Sequence, residues 1–224
     1  MALTLSGDPA AAERAGGTIL HTDPLVFVID DFLSAEACAA LIALGGAGMQ
    51  RATVAGLQED VRHDSRTNSV HYIRDGDSAE AGRLRDRVTA LAGLPPIHAE
   101  PLQLIHYAPG TEYKAHYDSF DPFTALGRRY WTAGGQRLMT GLAYLNEVAA
   151  GGATAFPLLD LEVAPRPGRL LMFQLCHDDT VLPHDHAFHA GCPVTEGEKW
   201  AVNIWMRQAP FTDYVPAPDT VDIP

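Results

Sequence analysis

A chain of 224 residues with 46% hydrophobic and 20% charged content is long enough for one sizeable core and has the balance of a globular domain. Its formal charge of −12 argues against a nucleic-acid surface, and no apolar run is long enough for a membrane span. Cys38, Cys176 and Cys192 are too few and scattered for a disulfide framework or zinc knuckle, and the N-terminus lacks a signal-peptide pattern, so a reducing cytoplasm is expected.

Residues 1–20 are rich in Ala and Gly and are expected to be loose. "LVFVID", 25 to 30, reads as a short apolar strand. "LSAEACAALIAL" reads as a helix capped by Ser34 and ended by Gly45-Gly46. A second helix lies in "DSAEAGRLRDRVTALAG": Asp77 and Glu80 have capping-box spacing, and Ala81, Leu84, Val88 and Leu91 share a face. After Pro95-Pro96 the texture changes to strands: "PLQLIHYA", "EYKAHYD", "RLMTGLAYLN", "ATAFP", "LEVAP", "GRLLMFQ", "HAFHAG" and "KWAVNIWMR", punctuated by Gly and Pro. Two helices before a run of short strands predict a mainly β (α+β) fold, a sandwich or jelly roll with N-terminal helices buttressing one sheet. One domain is expected over 21–210, with 211–224 an extended, proline-rich acidic tail.

Within "YKAHYDSF", His116 and Asp118 are two residues apart, and in a strand such residues share a face. Composition alone gives about 0.8 His-x-Asp triplets, so the pattern is weak by itself. His21-Thr22-Asp23 precedes the strands and His177-Asp178-Asp179 lies in a polar loop, so only the pair at 116 and 118 sits in a strand-like stretch. In "KWAVNIWMR", alternation places Lys199, Ala201, Asn203 and Trp205 on one face and the apolar Trp200, Val202, Ile204 and Met206 on the other. The second face is expected to pack against a sheet or helix, and the first to line a barrel mouth. The stretch 119 to 136 reads as a long loop carrying Phe120, Phe123, Arg128, Arg129, Tyr130 and Trp131, the composition of a lid or binding loop.

In order, "HDSRTNSV", "LQLIHYAPGTEYKAHYD", "RLMTGLAYLNEVAAGGATAFP", "VAPRPGRLLMF" and "FHAGCPVTEGEKWAVNIWMR" resemble the prolyl 4-hydroxylase family of iron(II)- and 2-oxoglutarate-dependent dioxygenases, over roughly residues 25 to 208. The resemblance implies a double-stranded β-helix core with an Fe(II) site at its open end. It implies His116, Asp118 and His189 as metal ligands, and it picks His189 over His184 and His186 by the "HAGCPV" turn. It also implies Lys199, ten residues on, as the anchor of the 2-oxoglutarate carboxylate, with Tyr107 as a hydrogen-bonding partner. Thr140 is a further cosubstrate candidate. Arg137 and Trp205 match substrate-pocket positions, Arg66 lies in a segment resembling the family, and Arg128 and Arg129 are candidates for holding a substrate carboxylate. Two histidines and one carboxylate leave three positions on an octahedral ion, enough for a 2-oxo acid and dioxygen. The implied reaction is hydroxylation of an unactivated C–H bond with release of succinate and carbon dioxide, with ascorbate as a candidate reductant.

The prime substrate stays open between a prolyl residue in a peptide and a free amino acid or other small metabolite. Ala153 stands where the family often has Glu, and the histidine-rich "LPHDHAF" is unusual for it. A non-oxidative cupin-like metal protein would not need Lys199. A catalytically silent jelly-roll binding module would be expected to have lost Asp118 or His189. A halogenating relative would need a small residue in place of Asp118. A monomer or homodimer without nucleic-acid or membrane partners is expected.

Overall fold

The computed structural model describes residues 9–178 and 180–212. The chain runs through α1 (Pro9–Arg14), β1 (Thr18–Thr22), β2 (Leu25–Ile29), α2 (Ala35–Ala43), β3 (Gln50–Arg51), β4 (Ser69–Ile73) and α3 (Ala79–Leu91). There follow β5 (Leu102–Tyr107), β6 (Tyr113–His116), α4 (Ala125–Trp131), β7 (Arg137–Tyr144), β8 (Ala150–Gly151), β9 (Thr154–Phe156) and β10 (Leu161–Val163). The last strands are β11 (Leu170–Gln174), β12 (His189–Gly191), β13 (Val194–Glu196) and β14 (Lys199–Arg207). An eight-stranded sheet in the order β1-β2-β11-β7-β14-β5-β4-β3 faces a four-stranded sheet, β10-β9-β12-β6, and β13 pairs with β8. All pairings are antiparallel, the arrangement of a double-stranded β-helix.

Strand β14 shows why the large sheet sits where it does. Val202, Ile204 and Met206 join Leu41 of α2 and Leu84 and Val88 of α3 in one buried cluster. Each fully buried side chain of this kind contributes about 1.5–3 kcal/mol. Gly141, opposite Ile204, lets α3 come close, because a Cβ there would lie 2.7 Å from Val88 Cγ1. The other face of the sheet packs toward the small sheet through Ile105, Leu142, Phe173 and Phe156. A charged residue at Ile204 would have no water or counter-ion and would break this layer.

Several expectations are corrected. Residues 9–14 form a helix and 18–22 a strand instead of a loose segment, because Ala12 and Ile19 pack against the core. Ser78, not Asp77, caps α3, accepting from the Ala81 N–H at 3.3 Å, while the Asp77 carboxylate accepts from the Arg74 N–H at 2.8 Å. The loop at 119–136 contains α4, capped by the Thr124 hydroxyl. Beyond residue 212 the expected tail lies outside the described residues.

Candidate metal centre and cosubstrate pocket

Strands β6 and β12 pair so that His116 and His189 stand opposite each other. Strand β6 ends at His116, so Asp118 lies past the strand and not within it as expected. Its backbone is held from β7, where Arg137 Nη1 donates to the Asp118 carbonyl at 3.4 Å. The carboxylate still reaches both rings: Oδ1 is 3.5 Å from His116 Nε2, and Oδ2 is 3.5 Å from His189 Nε2. One ligand atom from each residue lies within 4.8 Å of the others, and among the described residues this is the one cluster of His, Cys, Asp and Glu with that geometry.

The protonation states suit a cation. His116 Nδ1 lies 2.8 Å from the Lys114 carbonyl and His189 Nδ1 2.9 Å from the Ala187 carbonyl. A carbonyl only accepts, so each Nδ1 carries the proton and each Nε2 turns a lone pair to the centre. Burial pushes His189 down to about 4, against the pull of Asp118, which keeps the ring neutral. Burial opposes ionisation of Asp118 as well, but His189, His116 and Arg137 together hold its carboxyl well below the usual range. Thr140 Oγ1 donates to Asp118 Oδ2 at 2.7 Å. Its hydroxyl therefore orients the carboxylate, although Thr140 also lines the slot beside it.

That slot runs from the triad to Lys199 and is narrow, about 40 Å³. Lys199 opens β14, is 1% exposed and stands opposite Tyr107 of β5. Its Nζ donates to the Gly152 carbonyl at 2.7 Å and lies 5.0 Å from the centre of the Tyr107 ring. Among the described residues no carboxylate pairs with it, and burial depresses it to about 8. A buried ammonium held by one carbonyl is a receptor for an anion. Burial raises the Tyr107 phenol, which stays protonated and able to donate. Gly191 admits that ring, since a Cβ there would lie 2.7 Å from the Tyr107 hydroxyl. On the same wall, Asn203 Oδ1 and Trp205 Nε1 are buried without a hydrogen-bond partner among the described residues.

An outer cavity of about 350 Å³ adjoins the triad at Asp118. Arg137 stacks over the Trp205 ring at 3.7 Å and is clamped by Glu100 through contacts of 2.5 and 2.8 Å. Glu100 also binds Arg207 at 2.6 Å, so one buried carboxylate fixes two guanidinium groups. No sequence signal singled out Glu100. Arg66 lines both cavities, but its nitrogens donate to Asn68 (3.2 Å), Thr53 (3.0 Å) and Gln103 (2.7 Å), so it braces the wall between them.

Arg128 and Arg129 line neither cavity. Arg128 donates to the Phe123 carbonyl at 3.0 Å, and Arg129 reaches the Gly56 carbonyl and Asp60. Arg129, together with the Tyr130 hydroxyl, which also bonds Asp60, anchors the 53–61 loop, while Arg128 holds the chain just before its own helix. His184 is buried, not in a solvated loop: Nε2 donates to Asp23 at 3.0 Å and Nδ1 accepts from the His186 N–H at 3.1 Å. His186 is exposed on a short 3-10 turn. Neither joins the cluster.

A His–Asp–His face at the mouth of a jelly roll, beside a buried lysine awaiting an anion, defines the class of iron(II)- and 2-oxoglutarate-dependent oxygenases. Comparison agrees: residues 102–207 match the 2OG-Fe(II) oxygenase superfamily. Probable prolyl 4-hydroxylase 3 of Arabidopsis thaliana is 33% identical over 229 residues, covering 88% of this chain and 77% of the relative. The crystal structure of the viral collagen prolyl hydroxylase of Paramecium Bursaria Chlorella virus-1, as a 2OG complex, superposes with a TM-score of 0.64 at 25% identity, covering 80% of this chain and 94% of that one. A Trichoplax adhaerens prolyl hydroxylase, solved with a hypoxia inducible factor peptide fragment, shares the fold with a TM-score of 0.64 at 16% identity, over 89% and 91% of the two chains. The chain belongs to the prolyl 4-hydroxylase-like family and is a 2-oxoglutarate-dependent hydroxylase.

Proposed function

We propose that the protein hydroxylates a prolyl residue within a peptide, using Fe(II) on His116, Asp118 and His189 and 2-oxoglutarate anchored by Lys199. When bound, iron and 2-oxoglutarate supply the oxidising chemistry: dioxygen gives one atom to the substrate C–H bond and the other to succinate, with loss of carbon dioxide. The chain's own residues bind, orient and exclude water. The two Nδ1–H bonds and the Thr140 hydroxyl keep the ligand atoms aimed at the metal. The Tyr107 phenol and Lys199 ammonium take the distal carboxylate. The ammonium gives one N–H to the Gly152 carbonyl and has two more for that carboxylate.

The observation that carries the choice of a peptide is the outer cavity. A free amino acid needs a carboxylate for its ammonium group, and the three in the wall are committed, Asp118 as a proposed metal ligand and the other two to basic or hydroxyl groups. Glu100 is held by two arginines, and Asp60 by Arg129 and Tyr130. What remains is aromatic wall with the Trp205 N–H as a buried donor and the exposed Arg74 at its edge, suited to an uncharged prolyl ring, a backbone carbonyl and an acidic flank of a peptide. The names of the Arabidopsis relatives and the peptide-bound Trichoplax structure support the same reading.

The test supplies Fe(II), 2-oxoglutarate, ascorbate as proposed reductant, and air, with a panel of prolyl peptides, free proline and other amino acids. Succinate and hydroxylated product should form in equal amounts with a prolyl peptide. Product from free amino acids alone would overturn the choice of substrate.

A further inference from the structure

The outer cavity borders a stretch of this chain whose sequence suits it. Phe211, second from the last described residue, forms part of the cavity wall. The backbone is fixed there: the Phe211 N–H donates to the Ile97 carbonyl and the Ala209 N–H to the Gly134 carbonyl, both at 2.9 Å. After Thr212 come Asp213-Tyr214-Val215-Pro216-Ala217-Pro218-Asp219. We propose that residues 213–219 are a tethered substrate, entering the outer cavity so that Pro216 or Pro218 is hydroxylated in cis. This rests on the prolyl reading above.

Four observations favour this occupant. The first is reach. Pro216 and Pro218 lie four and six residues past Thr212, so the chain spans roughly 13–22 Å to them at ~3.3–3.6 Å per residue. Phe211 and Asp118 line one cavity of about 350 Å³, which is roughly 9 Å across if spherical. The tether therefore covers the distance with slack for a turn. The second is shape. Tyr72, Tyr113, Phe120 and Trp205 give the cavity flat aromatic surfaces, and Pro-x-Pro segments in polyproline geometry dock on such surfaces. The third is charge. Asp213 and Asp219 flank the two prolines and make the segment acidic, and Arg74 on the cavity wall has no carboxylate partner among the described residues. The fourth is tethering. A short linker gives an effective concentration on the order of millimolar, so even weak intrinsic affinity yields occupancy.

The chemistry balances as for any substrate of this class. The proline C–H bond gives two electrons and 2-oxoglutarate two, dioxygen takes four, and the products are C–OH, succinate and carbon dioxide.

The test mixes unlabelled wild-type chain with ¹⁵N-labelled Asp118→Ala chain in the presence of Fe(II), 2-oxoglutarate, ascorbate and air. Mass spectrometry then reads the C-terminal peptide. One added oxygen is expected on the unlabelled peptide only, at a rate independent of chain concentration, and lost in Pro216→Ala/Pro218→Ala. Equal oxidation of the labelled peptide would overturn the cis route. An unmodified tail beside a hydroxylated added peptide would overturn the inference and leave the proposed function standing. Failure of both to react would overturn both.

A second measurement needs no turnover. In ¹³C-proline-labelled full-length chain, Mn(II) at the triad should broaden the Pro216 and Pro218 signals as it broadens Pro101, which lines the cavity. Zn(II) is the diamagnetic control. Tail signals as sharp with Mn(II) as with Zn(II) would overturn the proposal.

Discussion

Replacing Lys199 by Ala removes the ammonium of the inner slot and leaves there only Arg66, whose nitrogens are spent on Asn68, Thr53 and Gln103. Its ammonium is 1% exposed and bonded only to the Gly152 carbonyl among the described residues, so it has given up water without gaining a full counter-charge. A charge-assisted contact made to 2-oxoglutarate there is worth about 1.5–3 kcal/mol, a roughly 10- to 100-fold weakening on its loss. The assay is calorimetric binding of 2-oxoglutarate to the Zn(II)-loaded protein. Burial places Lys199 at about 8 in the ligand-free protein. The ammonium is charged below that value, so wild-type affinity should be highest there and fall as pH rises through it. Well above it the loss approaches about tenfold per pH unit, because binding must then take up one proton.

Stability should move the other way. With the folded value below the unfolded one near 10.5, the charged lysine disfavours the fold below about pH 8, and this penalty fades as pH rises toward the unfolded value. Lys199→Met should therefore melt no lower than wild type at neutral pH. Unchanged affinity in Lys199→Ala, with a flat pH profile in the wild type, would refute the assignment.

Asp118→Ala should keep the fold and lose hydroxylation, and turnover at the wild-type rate would remove Asp118 from the ligand set. Thr140→Val frees the Asp118 carboxylate from its 2.7 Å donor, and iron affinity should fall about 10- to 100-fold by competition with a chelator; an unchanged midpoint would contradict that role. Glu100→Ala strands the guanidinium groups of Arg137 and Arg207 and should cost about 3–5 kcal/mol in denaturant unfolding; an unaltered midpoint would show that they find other partners. Arg128→Ala with Arg129→Ala should loosen the 53–61 loop while leaving 2-oxoglutarate affinity unchanged, measured by hydrogen exchange and calorimetry; unaltered exchange there would deny the anchor.

The parts legible in the sequence were those governed by short periods. The two-residue alternation of "KWAVNIWMR" correctly separated Lys199, Asn203 and Trp205 from Val202, Ile204 and Met206, because a central strand must choose faces. Ser34 was legible as a cap because its side chain acts within three residues. Strands β3 and β8, two residues each, carry no period at all, and β1 and β4, five residues each, were not singled out as strands.

At the site, the meeting of His116 with His189 depends on strand pairing across 73 positions, which only the family resemblance suggested. Glu100 escaped notice because its role comes from two arginines 37 and 107 residues away. The partners of Arg129, Gly56 and Asp60, were not legible because they come from a distant loop brought beside α4, and Arg128 turns to the Phe123 carbonyl.

Anaerobic Fe(II) titration of purified variants tests the central claim most directly. The wild type, His184→Ala and His186→Ala should each bind one iron tightly, since His184 spends both ring nitrogens on Asp23 and the His186 backbone and His186 faces outward. His116→Ala and His189→Ala should lose that binding, and with it 2-oxoglutarate-dependent succinate release in air. An iron-loaded, active His189→Ala beside an iron-free His186→Ala would contradict the account.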